Sequence, residues 1–284
     1  MKNYVNAIFL LLMTIVSAHA AKPKLYEMPR TQVMPIVDSE SGRKYELYIK
    51  LPDDYLEDGE TVHPVIYFTD AVWHIEMLSA STEYLMENAI LVGVSWQKDM
   101  KEDLVEELGA HASRFRDYSV TELDDPDRQA KYQMGQAGDH LNFIRRDVIT
   151  HIEKSYRADV GNRTYFGYSL GGVFGAYVLV SEPETFSNYI LGSPALRGDI
   201  PFLSNLKSKR GTSLNARVFI SCGELEVELC GYVDEFVGLL NNPGDQSLSL
   251  RHVVLEGSHQ TAFPRAALRS IAWLSDLVSG GEGG

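Results

Sequence analysis

Basic residues are in short supply. Lys and Arg number 26 against 39 Asp and Glu, a formal net charge of −13, and no basic stripe runs along any segment. That balance argues against a nucleic-acid partner, because neutralising phosphates needs a positive face. Cysteine is scarcer still, with only Cys222 and Cys230. No C-x-x-C, H-E-x-x-H or P-loop pattern occurs, which points to no catalytic metal, no nucleotide and no other cofactor. Membrane-length apolar runs are missing too. The stretch AIFLLLMTIV, Ala7 to Val16, is too short for a comfortable transmembrane helix. There is no internal repeat, and low complexity is confined to the tail SGGEGG at Ser279 to Gly284, where disorder is expected.

What is present fits a folded, exported chain. With 44% hydrophobic residues over 284 positions, one large domain can bury a substantial core. Lys2, the apolar run and the A-x-A pattern of Ala18 to Ala20 predict a signal peptide over residues 1–20. The alternative is an uncleaved anchor. Cleavage would give a mature chain starting near Ala21, in the periplasm or the medium, with no stable membrane insertion. Export makes a Cys222–Cys230 disulfide permissible. The sequence leaves open whether their geometry fits or whether Cys222 is a buried thiol and Cys230 a helix-face thiol.

Residues 21–278 alternate between strand and helix patterns. TQVMPIVDS and RKYELYIKLP flank the turn ESG and predict an antiparallel hairpin. PVIYFTD and AILVGVSW are short and almost wholly apolar, as strands buried on both faces are. Residues 97–135 are charged and without clear periodicity, long for a connection and hence a candidate binding loop. Leu141, Ile144, Val148, Ile149 and Ile152 then fall at helical spacing. Further strands are predicted at TYF, FSNYILGSP, ARVFISCG and LSLRHVVLEG, and a terminal helix at TAFPRAALRSIAWLSDLV. The expected fold is α/β: a mostly parallel sheet with helices on both faces and the hairpin at one edge.

Chemistry concentrates at Gly167-Tyr168-Ser169-Leu170-Gly171, a G-x-S-x-G pattern between a predicted strand and a predicted helix. A sharp turn there lifts the serine out of the sheet, and the flanking glycines let strand and helix approach closely. A serine nucleophile needs a base. Only His252 and His259 follow Ser169. His252 lies within an alternating strand, whereas His259 lies just beyond it, where open α/β sheets bind ligands. His259 is therefore the expected base. The acid should follow ARVFISCG, where Glu224, Glu226 and Glu228 all stand. Loop length favours Glu226, with Glu224 next. The backbone amides of Leu170 and Ala71 are the expected oxyanion donors. RFRDY, at Arg114 to Tyr118, could reach the site or lie on the surface. Trp73 and His74 could line a pocket, Trp73 equally the core.

These blocks resemble a known family. PVIYFTDA, FRDY, DHLNFIRRDVITHIEKSYRAD, RTYFGYSLGGVFGAYVLVSEPETFSNYILGSPAL, VFISCGELE and SHQTAFPRAALRSIAWL are similar to successive blocks of the "Putative esterase" family of α/β hydrolases, which includes enterochelin esterases and esterase D. The resemblance spans nearly the whole chain beyond the leader. It implies an α/β-hydrolase fold, Ser169 as nucleophile, His259 as base and Glu226 in the acid-bearing loop. Ala71 departs from the pattern, since relatives commonly carry glycine after the aspartate. The implied activity is an exported serine esterase acting on a small-molecule ester, siderophore lactones among the candidates. An acyltransferase on the same triad, or a noncatalytic binding protein on the same fold, are the rival readings. Oligomeric state is not legible.

Overall fold

In a computed structural model, residues 25–55, 59–210, 213–241 and 247–279 are described. The expected signal peptide and residues 280–284 of the tail lie outside them. Eight strands form one sheet in the order β1-β2-β4-β3-β5-β6-β7-β8. β1 (Thr31–Val37) and β2 (Lys44–Lys50) make the expected hairpin, and β2 also runs antiparallel to β4 (Ile90–Val94). Every later pairing is parallel, through β3 (His63–Phe68), β5 (Ala158–Tyr168), β6 (Asn188–Gly192), β7 (Ala216–Gly223) and β8 (Leu248–Leu255).

The central strands are apolar throughout because both faces are covered. Side chains alternate across a strand, so Val65, Tyr67, Val92, Tyr165, Tyr189 and Val218 enter one core. Ile66, Phe68, Leu91, Phe166, Ile190 and Phe219 enter the other. The second core is closed by α1 (Ala71–Leu85) and α10 (His259–Ser279), through residues such as Ile75, Leu78, Ile271 and Leu274.

Between β4 and β5 the chain departs from the expected loop. Residues 97–135 contain three short helices: α2 (Glu102–Leu108), α3 (Ser113–Asp117) and α4 (Pro126–Tyr132). Neither α2 nor α4 has a buried residue. Without an apolar face, no helical periodicity shows in the sequence. α3 is instead held by polar burial, of Arg114, Arg116 and Asp117. The predicted helix that follows runs as α5 (Ala137–Phe143), a π-helical turn at Ile144–Ile149, and α6 (Thr150–Ser155). Beyond β5 come α7 (Leu170–Ser181), α8 (Ile200–Arg210) and α9 (Val227–Leu240).

The two cysteines are paired. Cys222, fully buried at the end of β7, is bonded to Cys230 on α9, with Cα atoms 5.6 Å apart.

Space for α7 depends on missing side chains. A Cβ at Gly167 would stand 2.2 Å from the Gly171 carbonyl oxygen, and one at Gly171 would stand 2.5 Å from Thr69 Oγ1. Both obstacles are buried, so neither swings aside. By contrast, a Cβ at Gly231 on α9 would meet nothing within 4 Å. Gly171→Ala should therefore destabilise the fold by about 1–3 kcal/mol, as overpacking does. Gly231→Ala should stabilise it by up to about 1 kcal/mol, from helix propensity. Urea denaturation of the two variants beside the wild type measures both. A neutral Gly171→Ala would show that α7 is not seated this closely.

Candidate active site

Ser169 follows the last residue of β5 and caps α7 with φ 58° and ψ −119°. A non-glycine residue rarely holds a positive φ, so this backbone is constrained from outside. Its N–H donates to Gly192 O at 2.9 Å, and its own carbonyl accepts from Val173 N at 3.1 Å and Ala195 N at 3.3 Å. The turn is thus pinned to the end of β6 and to the start of its own helix.

His259 is the first residue of α10, immediately after the β8 loop. Its Nδ1 lies 2.5 Å from Glu226 Oε1. Glu226 caps α9 and is nearly withdrawn from water, with its side chain 6% exposed. Its second oxygen, Oε2, accepts from Gly223 N at 2.7 Å and from Ser193 Oγ at 2.7 Å. The neighbouring candidates stand elsewhere. Glu224 is exposed, and Glu228, exposed as well, pairs with Arg197. His252 remains a strand residue on β8, its Nδ1 3.6 Å from Asp234. Of the residues weighed from sequence, the fold brings His259 and Glu226 into contact and leaves His252, Glu224 and Glu228 apart from them.

Two holders of this pair carry no signal of their own in the sequence. Tyr168 OH donates to the His259 carbonyl at 2.7 Å, and its ring packs at 5.2 Å from the imidazole. Burial pushes the Tyr168 phenol up to about 12, so it stays a donor at neutral pH. Ser193, with φ 38°, sits 3.0 Å from the same phenol oxygen while serving Glu226. Its one proton goes best to the carboxylate, where the bond is charge-assisted. Only its place at the carboxyl end of β6 could have marked it in advance.

A cavity of about 460 Å³ opens beside these groups, lined by Trp73, His74, Arg114, Tyr168, Ser169, His259, Gln260 and Phe263. Ser169 and His259 share it. Trp73 is 48% exposed at its wall and meets Trp96 edge-on at 4.7 Å, so it belongs to the cavity more than to the core. His74 is buried. Its Nδ1 donates to Thr69 O at 3.0 Å, its ring stacks on Phe263, and burial lowers its pKa, keeping it neutral.

The segment RFRDY reaches the site through an ion pair. Arg114 Nε and Nη2 approach the two carboxylate oxygens of Asp70 at 3.0 and 3.1 Å. Trp96 Nε1 adds a third donor at 2.6 Å. Asp70 is wholly buried and caps α1 in the left-handed region, φ 55° and ψ 45°. Burial opposes the Arg114 charge, yet the facing carboxylate outweighs it and raises the guanidinium pKa. Asp70 directs the chain into Ala71, the first residue of α1, just as Ser169 directs it into Leu170, the first of α7. First-turn amides have no acceptor inside their own helix. Ala71 is buried, and its methyl fits because Gly93 opposite has none: a Cβ there would stand 2.7 Å from that of Ala71.

A profile of the family described as "Putative esterase" matches residues 39–216. The chain belongs to this esterase family. The matched span holds Ala71, Ser169 and Leu170 and ends before Glu226 and His259. Ferri-bacillibactin esterase BesA of Bacillus subtilis (strain 168) is 26% identical over 221 residues, which cover 71% of this esterase and 72% of that protein. Among solved structures, the BES protein from Bacillus cereus matches with a TM-score of 0.71 at 20% identity, over 89% of this chain and 98% of its own. Siderophore hydrolase EstB from Aspergillus nidulans matches with a TM-score of 0.72 at 18% identity, over 90% of this chain and 96% of its own. The sheet order, its N-terminal hairpin and these likenesses give the α/β-hydrolase fold.

The buried ion pair makes a measurable prediction. Arg114→Met leaves the Asp70 carboxylate buried without its cation and should destabilise the protein by about 3–5 kcal/mol. Adding Asp70→Asn to Arg114→Met should recover part of that loss, because no charge is then stranded. Chemical denaturation of the two single variants and the double variant tests it. Additive losses would mean that the two side chains are not coupled.

Proposed function

We propose that this esterase is an exported serine hydrolase that works through an acyl-enzyme, with Ser169 as nucleophile, His259 as general base and Glu226 as the acid of the triad. The observation that carries the reading is the 2.5 Å contact between His259 Nδ1 and the buried carboxylate of Glu226, in a histidine that shares a cavity with Ser169. Nδ1 donates to Glu226, so Nε2 is the basic nitrogen. It takes the Ser169 proton as Oγ attacks the ester carbonyl. The imidazolium that forms is stabilised by Glu226. The carbonyl oxygen becomes an anion held by the Leu170 and Ala71 amides, each at the positive end of a helix. As the intermediate collapses, His259 hands its proton to the departing alcohol. Water then enters, loses a proton to His259 and attacks the acyl carbon, and Ser169 leaves with that proton restored.

The substrate is proposed to be a siderophore ester. Support comes from BesA, named a ferri-bacillibactin esterase, and from EstB, named a siderophore hydrolase. The cavity suits an acyl group with aromatic or polar surface, since Trp73 and Phe263 face it beside the Arg114 guanidinium.

Ser169→Ala should lower turnover by several orders of magnitude and abolish labelling by a fluorophosphonate, as loss of a triad nucleophile does. Glu226→Gln should cut kcat far more than it changes KM, because charge on the imidazole develops only in the transition state. Glu224→Gln and Glu228→Gln should leave kcat near wild type. Steady-state kinetics on one activated ester and on a ferric siderophore lactone decide these points. More than about a tenth of the activity retained in folded Ser169→Ala would overturn the nucleophile, given the expected loss. Acyl transfer to an added alcohol in preference to water would replace hydrolase by transferase.

Export is proposed from Lys2, the apolar run and the Ala18–Ala20 pattern. No described helix is long and apolar enough to cross a membrane. N-terminal sequencing of the native protein should read from near Ala21 in the periplasm or medium. An intact Met1 in a cytoplasmic fraction would count against it.

A further inference from the structure

The segment that carries Glu226 has little to hold it by packing. Leu225 and Val227, on either side of the acid, are 70% and 80% exposed. Glu224 and Glu228 are exposed as well. The buried residues of α9 are Val233, Phe236 and Leu240, and its first turn meets the core through the half-buried Leu229 and Cys230. At the strand side the backbone is tied to the β8 loop, by Glu224 N to Leu255 O at 2.7 Å and Leu225 N to Gly257 O at 3.1 Å. Glu226 N donates to Gly223 O at 2.9 Å, and its carboxylate accepts from Gly223 N and Ser193 Oγ. On its helix side, the tie is covalent. Cys230 joins the first turn of α9 to buried Cys222 at the end of β7, and Cys230 N donates to the Glu226 carbonyl at 2.8 Å. Glu226 lies four residues from each cysteine.

We infer that the Cys222–Cys230 disulfide is a positioning element of the reaction: it holds the first turn of α9 on the strand end and so keeps the Glu226 carboxylate against His259. This rests on the reading of Glu226 as the acid of the triad. The cysteines are 8 residues apart in sequence, and because loop-closure entropy changes only slowly with loop length the bond also adds to global stability. What it adds to the reaction is local. Without it α9 stays anchored through Val233, Phe236 and Leu240, while its first turn opens at low free energy, as poorly packed segments do. The carboxylate then spends less time at the imidazole. Activity consequently follows the oxidation state of this one bond, and an oxidising compartment is where the bond persists.

The test uses the full-length mature protein with the disulfide intact, reduced by dithiothreitol, or removed in a Cys222→Ala/Cys230→Ala variant. Reduction transfers two electrons and two protons to the bond as the reagent closes to its cyclic disulfide. Far-UV circular dichroism checks that each form is folded, and the reduced wild type serves if the double variant fails to fold. Turnover is measured in the wild-type and Glu226→Gln backgrounds. In the wild-type background, loss of the disulfide should lower kcat about tenfold or more with KM within about twofold, the pattern of a group that acts in the transition state. In the Glu226→Gln background the same loss should change kcat by less than about twofold, because coupled residues are not additive. Equal losses in both backgrounds would mean a general structural role and overturn the inference. So would an unchanged kcat in the folded, reduced wild type while Glu226→Gln itself is impaired. Wild-type turnover of Glu226→Gln with the disulfide intact would overturn the triad acid, and the inference with it.

Discussion

A carboxylate placed where water cannot reach it organises this molecule. Asp70 is fully buried, and it is tolerated because Arg114 and Trp96 surround it with donors. Breaking such an arrangement strands a charge, so the partners are not exchangeable one at a time. Each partner arrives from a different part of the chain: Asp70 from the end of β3, Trp96 from beyond β4, Arg114 from α3. The same carboxylate lies beside the start of α7, since a Cβ on Gly171 would come within 3.4 Å of it. The ion pair therefore docks the irregular connection, fixes the entry to α1 and borders the Ser169 turn at once.

Two helices begin here in the same unusual manner. Asp70 and Ser169 both hold positive φ without being glycine, and each turns the chain abruptly into a helix whose first amide is Ala71 or Leu170. The abrupt entry puts Ala71 and Leu170, the first residues of the two helices, just beyond the carboxyl ends of neighbouring strands β3 and β5. Backbone strain of about 1–3 kcal/mol at each turn is the ordinary magnitude for such conformations. It is carried by surroundings that leave no alternative path: the Gly167–Gly171 approach in one case and the Arg114–Trp96 cradle in the other.

The sheet was readable because burial on both faces writes itself as short apolar runs, and all eight predicted strand segments are strands. The contact between His259 and Glu226 was also within reach, since chain order and the carboxyl edge of the sheet narrow the candidates to a few residues. What could not be read is what polar burial holds. Residues 97–135 looked like loop because α3 is seated by Arg114, Arg116 and Asp117, and no hydrophobic period announces that. Ser193 and Tyr168 were missed as supports for the same reason: a hydroxyl gives no pattern, and its partner is known only once the chain has folded. The disulfide needed coordinates because spacing alone does not fix Cα separation.

The outer helices of that connection have a consequence for divergence. α2 and α4 contribute nothing buried, whereas α3 between them is locked to Asp70 and, through Arg116, to Gln97. Substitutions on such exposed faces usually move stability by no more than about 0.5 kcal/mol. Arg114, which this connection lends to the cavity, thus stands on a fixed stem with variable helices on either side. Descendants of this chain can vary those helices while Arg114, Ser169, His259 and the sheet beneath them stay as they are.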